Sequence, residues 1–155
     1  MLLALALCVS VRAAEPAVGE AAPEIKAAAW LNGDGVSLAK LSKNIVVVEF
    51  WATWCPPCRK SIPHLIEMND KYKDKGVTII GLSDEPMSKV KPFAADMKMS
   101  YIVGAGSNTG GVYGVKGIPQ AFVVAPGGKI LWSGHPASGL EKAIEDALKS
   151  NPPTK

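Results

Sequence analysis

The chain has 155 residues, 48% of them apolar, and 17 Lys and Arg against 14 Asp and Glu give a net charge of +3. That size supports one domain with its own core and no need of disulfide staples, and the apolar content excludes a disordered or collagen-like chain. Lys40, Lys43, Lys71, Lys73, Lys75, Lys89 and Lys91 fall in separate segments, which excludes a nucleic-acid surface built from clustered cations and interleaved aromatics.

Leu2 to Val11 is almost wholly apolar, and the small residues Ala13 and Ala14 precede Glu15-Pro16. This reads as the apolar region and cleavage zone of an export signal, too short to span a bilayer comfortably; the alternative is a buried helix. Residues 1–14 are expected to be a leader, either cleaved or kept as a membrane anchor. Met1 is followed directly by Leu2 with no charged start, so the leader is expected to extend further upstream. Leu7 stands where lipoprotein-processing patterns want a small residue, which argues against lipid attachment at Cys8. Residues 15–24, rich in Ala, Pro and Gly, read as a linker, residues 25–150 as the domain, and residues 151–155 as a frayed tail.

Within the domain, Ile25 to Leu31 alternates weakly and suggests a strand, closed by a turn at Asn32-Gly33-Asp34-Gly35. Ile45 to Phe50 is a β-branched run typical of a strand buried on both faces of a parallel sheet. Pro57 to about Lys73 reads as a helix, with Ile62, Leu65, Ile66, Met68 and Tyr72 on one face and Gly76 just past its end. Val77 to Leu82 is a second strand, and strand–helix–strand order implies a right-handed parallel crossover, hence an α/β fold. The segment from Ser83 to Gly117 interrupts the simplest layout with a helix over Pro86–Met97, a short apolar stretch at Tyr101-Ile102-Val103 and a glycine-rich turn. Ala121–Val124 and Ile130–Trp132 flank Pro126-Gly127-Gly128, a hairpin signal. Ser138 to Glu141 reads as a capping box before a final helix with Leu140, Ala143, Ile144, Ala147 and Leu148 as its buried stripe.

The chemistry concentrates in Phe50-Trp51-Ala52-Thr53-Trp54-Cys55-Pro56-Pro57-Cys58-Arg59. Cys55 and Cys58 close too small a loop to stabilise a domain of this size much, so reactivity explains the pair better than stapling. Cys55 stands where a helix begins, where unpaired amides and the positive dipole end favour a thiolate and can lower a cysteine pKa to roughly 3.5–7.5. The Cys55 thiolate is expected to attack a disulfide sulfur, and Cys58, one turn further in and more buried, to displace the product. Pro56 and Pro57 fit the first helical turn and remove two N–H groups from the thiolate's surroundings, which predicts a reducing rather than strongly oxidising pair. Trp54 is expected to shield the disulfide and, with Pro56, to contact substrate; Trp51 reads as core packing. A zinc site would need two further ligands, and the chain offers only His64 and His135. No metal and no cofactor beyond the Cys55–Cys58 disulfide is expected.

The run F-W-A-T-W-C-P-P-C-R, Pro63 five residues after Cys58, and Gly117-Ile118-Pro119 near the hairpin resemble the thioredoxin superfamily. More narrowly, the chain resembles the exported TlpA/ResA-like group, which includes cytochrome c maturation reductases. The resemblance covers about Gly19 to Leu148. It implies a thioredoxin fold: a central mixed sheet flanked by helices, with a strand–helix insertion over Ser83–Gly117 and N-terminal strands. It further implies that Pro119 is a cis-proline lying against the disulfide, that the backbone of Ile118 pairs with an extended substrate segment, and that Pro63 kinks its helix. Glu49 matches the buried acid that relays protons to the second cysteine, so it is expected to have a raised pKa and to deprotonate Cys58 through a water; a Glu pointing out from a partly exposed strand is the alternative. The chain departs from thioredoxin at Gly81, which replaces a lysine near the site, and from the TlpA-like pattern at Gln120 and at Ala125-Pro126-Gly127-Gly128.

These features lead to an extracytoplasmic thiol–disulfide reductase, periplasmic or secreted, monomeric, that keeps client cysteines reduced and is recharged by a membrane thiol donor. Three other functions compete. A thiol peroxidase would need Thr or Ser where Ala52 stands and Pro where Val48 stands. Sco-like copper delivery would use the two cysteines plus a distal histidine such as His135, although its cysteines are spaced by three residues. A peptide-binding module would use the groove around Pro119 without redox turnover.

Overall fold

The computed structural model describes residues 16–154, so the expected leader and Cys8 lie outside the described residues. Six strands form one mixed sheet: β1 (Ala29–Leu31), β2 (Ile45–Phe50), β3 (Val77–Leu82), β4 (Ile102–Ala105), β5 (Gln120–Val124) and β6 (Ile130–Gly134). Their spatial order is β1-β4-β3-β2-β5-β6. β2, β3 and β4 run parallel, while β1 pairs antiparallel with β4, β5 with β2, and β6 with β5. Three helices connect them: α1 (Pro56–Tyr72), α2 (Met87–Asp96) and α3 (Leu140–Ser150).

The β-branched run of β2 is buried on both faces as its sequence suggested, with all six residues buried, Glu49 among them. Ile45 and Val47 pack with Val77 and Ile79 of β3 against residues of all three helices, including Ile62 and Leu65 of α1, Val90 of α2 and Ile144 of α3. Val46, Val48 and Phe50 face the other way, into a second cluster with Ile25, Ile80, Leu82, Tyr113 and Phe122. There Phe50, Tyr113 and Phe122 pack ring against ring with centroids 4.9–6.0 Å apart, a tilted and edge-on arrangement that aromatic quadrupoles favour. Among the described residues no helix is long and apolar enough to cross a membrane.

Several expected boundaries shift. The N-terminal strand is confined to Ala29–Leu31, because Ile25 turns its side chain into the second cluster rather than joining the sheet. Residues in the expected linker lie along the hairpin: the Gly19 N–H donates to the Ile130 carbonyl, Ala22 N–H to Gly128, and Ile130 N–H to Glu20. In the expected frayed tail, the Thr154 N–H donates to the Lys43 carbonyl at 2.9 Å. The capping box at Ser138–Glu141 does not form. Gly139 holds the N-cap position in the left-handed region at φ 98° with no side-chain cap. Glu141 is drawn instead to Lys71 Nζ at 2.7 Å and to the Tyr72 hydroxyl at 3.2 Å, tying α3 to α1.

Candidate active site

The loop that leaves the C-terminal end of β2 runs through Trp51–Trp54 into α1, and it carries the two cysteines to the edge of the sheet where parallel strands present their functional loops. Cys55 occupies the N-cap of α1 in extended conformation, with Pro56 and Pro57 in the first turn. The sulfurs of Cys55 and Cys58 are joined in a disulfide, their Cα atoms 5.3 Å apart. Both are buried, Cys58 completely and Cys55 to 2% exposure, so the expected difference in depth is small. The Cys58 N–H donates to Cys55 Sγ at 3.3 Å. Pro56 and Pro57 have no N–H to add, so this donor stands alone among the first three positions of the helix.

Opposite the disulfide, the Ile118–Pro119 peptide bond is cis. The Ile118 carbonyl oxygen lies 3.7 Å from Cys55 Sγ. A cleft of about 570 Å³ opens at this point, lined by Trp54, Cys55, Pro56, Asn108, Val115 and Ile118 among others. Trp54 is 69% exposed and lines the cleft beside Cys55 and Pro56. Pro119 is buried and Ile118 half-buried. Cys55, Trp54, Pro56 and Ile118 are therefore brought together at one opening, with Pro119 directly behind Ile118.

Glu49 does not reach that opening. It lies on β2 with its two strand neighbours in register, Gly81 on β3 and Ala121 on β5. Strand alternation places it on the face of Val47 and Trp51, the face against which Cys58 and the rest of α1 pack. It is fully buried, and neither carboxylate oxygen has a hydrogen-bond partner. Burial pushes its pKa up to about 8, because a low-dielectric surrounding disfavours the charged form. The outward-pointing alternative is thereby excluded, while the assignment as a relay is a functional reading taken up below.

A second acid near the site was not anticipated. Glu85, in the loop between β3 and α2, accepts hydrogen bonds from the Thr53 N–H and hydroxyl, both at 2.7 Å, and from the Ser83 hydroxyl at 3.1 Å. Burial would raise its pKa, but these donors outweigh burial and hold it below the usual carboxylate range. Glu85 thus clamps the loop two residues before Cys55. Its signal in the sequence was position alone, an acid just past the C-terminal end of a parallel strand. His135, considered as a copper ligand, is exposed and accepts the Ala137 N–H on Nδ1 at 3.1 Å. Among the described residues no three His, Cys, Asp or Glu side chains gather as metal ligands would.

A protein-family profile described as the AhpC/TSA family matches residues 18–133. The thiol-disulfide oxidoreductase ResA of Bacillus cereus is 38% identical over 104 residues, 65% of this chain and 60% of that protein. The thiol:disulfide interchange protein HelX of Rhodobacter capsulatus is 40% identical over 92 residues, 56% of this chain and 49% of that protein. The chain thus spans about 60% of the length of the first of these curated relatives. Among solved structures, the thioredoxin domain of a thiol-disulfide oxidoreductase from Bacteroides vulgatus superposes with a TM-score of 0.76 at 30% identity, over 84% of this chain and 96% of that one. The mixed sheet with its helices is the thioredoxin fold.

Proposed function

The chain belongs to the AhpC/TSA family, and from that membership we propose that it is an extracytoplasmic thiol–disulfide oxidoreductase that reduces disulfides in client proteins. The observation that carries the reading is the Cys55–Cys58 disulfide at the mouth of the cleft, with the Ile118 carbonyl 3.7 Å from Cys55 Sγ. The names of the relatives support the chemistry, and the apolar stretch before Glu15 supports export. The protein needs no cofactor beyond this disulfide and takes its electrons from a membrane thiol donor.

In the reduced protein, the Cys55 thiolate attacks one sulfur of a client disulfide. The client S–S bond breaks, its second sulfur leaves as a thiolate that takes up a proton, and a mixed disulfide joins Cys55 to the client. An extended client segment lies along Ile118, and Trp54 and Pro56 form the rim against which it packs. Cys58 then gives its proton to the Glu49 carboxylate, its thiolate attacks Cys55 Sγ, and the client sulfur that was bonded to Cys55 leaves as a thiolate that takes up a proton. Two electrons have passed to the client, and the disulfide seen in the structure is the product. Burial raises the Glu49 pKa to about 8, into the range that suits a group which must take up and give back a proton in each cycle.

Direction follows from how strongly the Cys55 thiolate is stabilised. The Cys58 N–H is its donor within the first turn, where strongly oxidising pairs stabilise the thiolate far more. A redox titration of the purified protein against glutathione tests this. The expected midpoint lies near the reducing end of the range, roughly −270 mV, and a midpoint close to −120 mV would make the protein an oxidant and overturn the direction proposed.

A further inference from the structure

Among the described residues, four buried side-chain atoms have no hydrogen-bond partner: both carboxylate oxygens of Glu49, the indole nitrogen of Trp51 and the hydroxyl of Tyr101. They are not scattered. A Cβ built on Gly81 would come within 2.9 Å of Trp51 Nε1 and 3.1 Å of Tyr101 Cε2, and Gly81 is the register partner of Glu49 across the β2–β3 pair. All three side chains therefore converge on the one position of β3 that carries no side chain. Burial, and after it the charge of Glu49, raises the Tyr101 pKa well above the usual range.

Buried polar atoms are almost always satisfied, and leaving one unpaired is costly. Here the set is complementary: the carboxylate accepts, and the indole N–H and phenol O–H donate. We propose that the Tyr101 hydroxyl and the Trp51 indole N–H, gathered over Gly81, are the donors that receive the Glu49 carboxylate when it is ionised, and that Tyr101 is a positioning residue for the proton relay. The relay itself rests on the oxidoreductase reading above; the donor set does not.

Among the described residues, no cation acts on Glu49 to do the same work. On β3 the neighbour is Gly81 and on β5 it is Ala121. From α1 the titratable group is Cys58, and Arg59 places its guanidinium 5.6 Å from the centre of the Phe93 ring of α2, which packs in turn on Trp51. Burial is the cause of the raised Glu49 value, with no positive charge offsetting it. Tyr101 is held for this role by its backbone: Asn32 Nδ2 donates to the carbonyls of Tyr101 and Met99, each at 2.9 Å.

Carboxyl-carbon NMR on selectively labelled protein reads Glu49 directly, with Glu49→Gln as the assignment control. Tyr101→Phe keeps the ring and removes one donor, and the Glu49 midpoint should rise by about one pH unit, a tenfold change in proton affinity. In single turnover at neutral pH, resolution of the mixed disulfide should slow to match and recover as pH is raised, with the first attack by Cys55 unchanged. A midpoint shift below about 0.3 unit overturns the proposal. A second measurement needs no variant: in the wild-type protein the Trp51 indole N–H resonance should titrate with the same midpoint as Glu49, and an indole signal that does not move overturns it equally. If the titrations couple as expected but the wild-type protein transfers no electrons to any disulfide, the donor set stands and the oxidoreductase reading falls.

Discussion

Glu49 sits in a place where a carboxyl group is costly to ionise, and that cost sets a measurable pH dependence. Its pKa is raised from 4.5 to about 8 in the folded protein, so the folded state holds the proton more tightly than the unfolded state does. The associated stability is fully present below about pH 4.5 and is lost as pH rises through 8. At roughly 1.4 kcal/mol per unit, the oxidised wild-type protein loses on the order of 3 kcal/mol between pH 4.5 and pH 7 from this group. Glu49→Gln carries no proton to lose. Urea unfolding at pH 5 and pH 8 should therefore show a marked fall for the wild type and a nearly flat response for the variant; equal slopes would mean that Glu49 is not buried and unpaired as described. The acid was visible in the sequence because it interrupts an apolar run. Its unpaired state was not, since that depends on Gly81 and Ala121 arriving at its sides from strands far along the chain.

Between elements, the reactive loop is held by a residue that belongs to neither β2 nor α1. Glu85 accepts from the Thr53 N–H and hydroxyl, and its lowered pKa means that its contribution is present above the unfolded carboxyl value and fades as pH falls below it. Glu85→Gln should cost about 1–3 kcal/mol at neutral pH by weakening charge-assisted bonds. The deficit should shrink below about pH 4, where the wild-type carboxyl is itself protonated; a deficit that stays constant from pH 3 to 7 would show that charge at Glu85 is not what holds the loop. At this scale β2, α1 and β3 were legible because a doubly buried strand and an amphipathic helix leave strong patterns. The expected cap of α3 failed for a reason no local pattern contains: Glu141 has a better partner in Lys71, 70 residues away in sequence. The β3–α2 loop was legible as a loop, but not as the clamp of the active-site turn.

Across the whole molecule, the sheet delivers three separate stretches to one end: the β2–α1 turn with the cysteines, the β3–α2 loop with Glu85, and the segment leading into β5 with Ile118 and Pro119. The motif and its resemblance were enough to name Cys55, Cys58, Ile118 and Pro119 as one site, because the two-residue spacing and the Ile–Pro pair are local. They were not enough to show Trp51 and Tyr101 closing over Gly81, since that depends on how the inserted α2–β4 unit packs. The proposed division of labour, with Cys55 at the cleft and Cys58 beneath it, makes a direct prediction. Cys58→Ala, expressed in its native host and recovered under acid quench, should retain a client joined through Cys55, released by a thiol reductant and identified by mass. Cys55→Ala should retain none. Clients trapped through Cys58 in the Cys55→Ala protein, or no covalent adduct in the Cys58→Ala protein, would contradict the account.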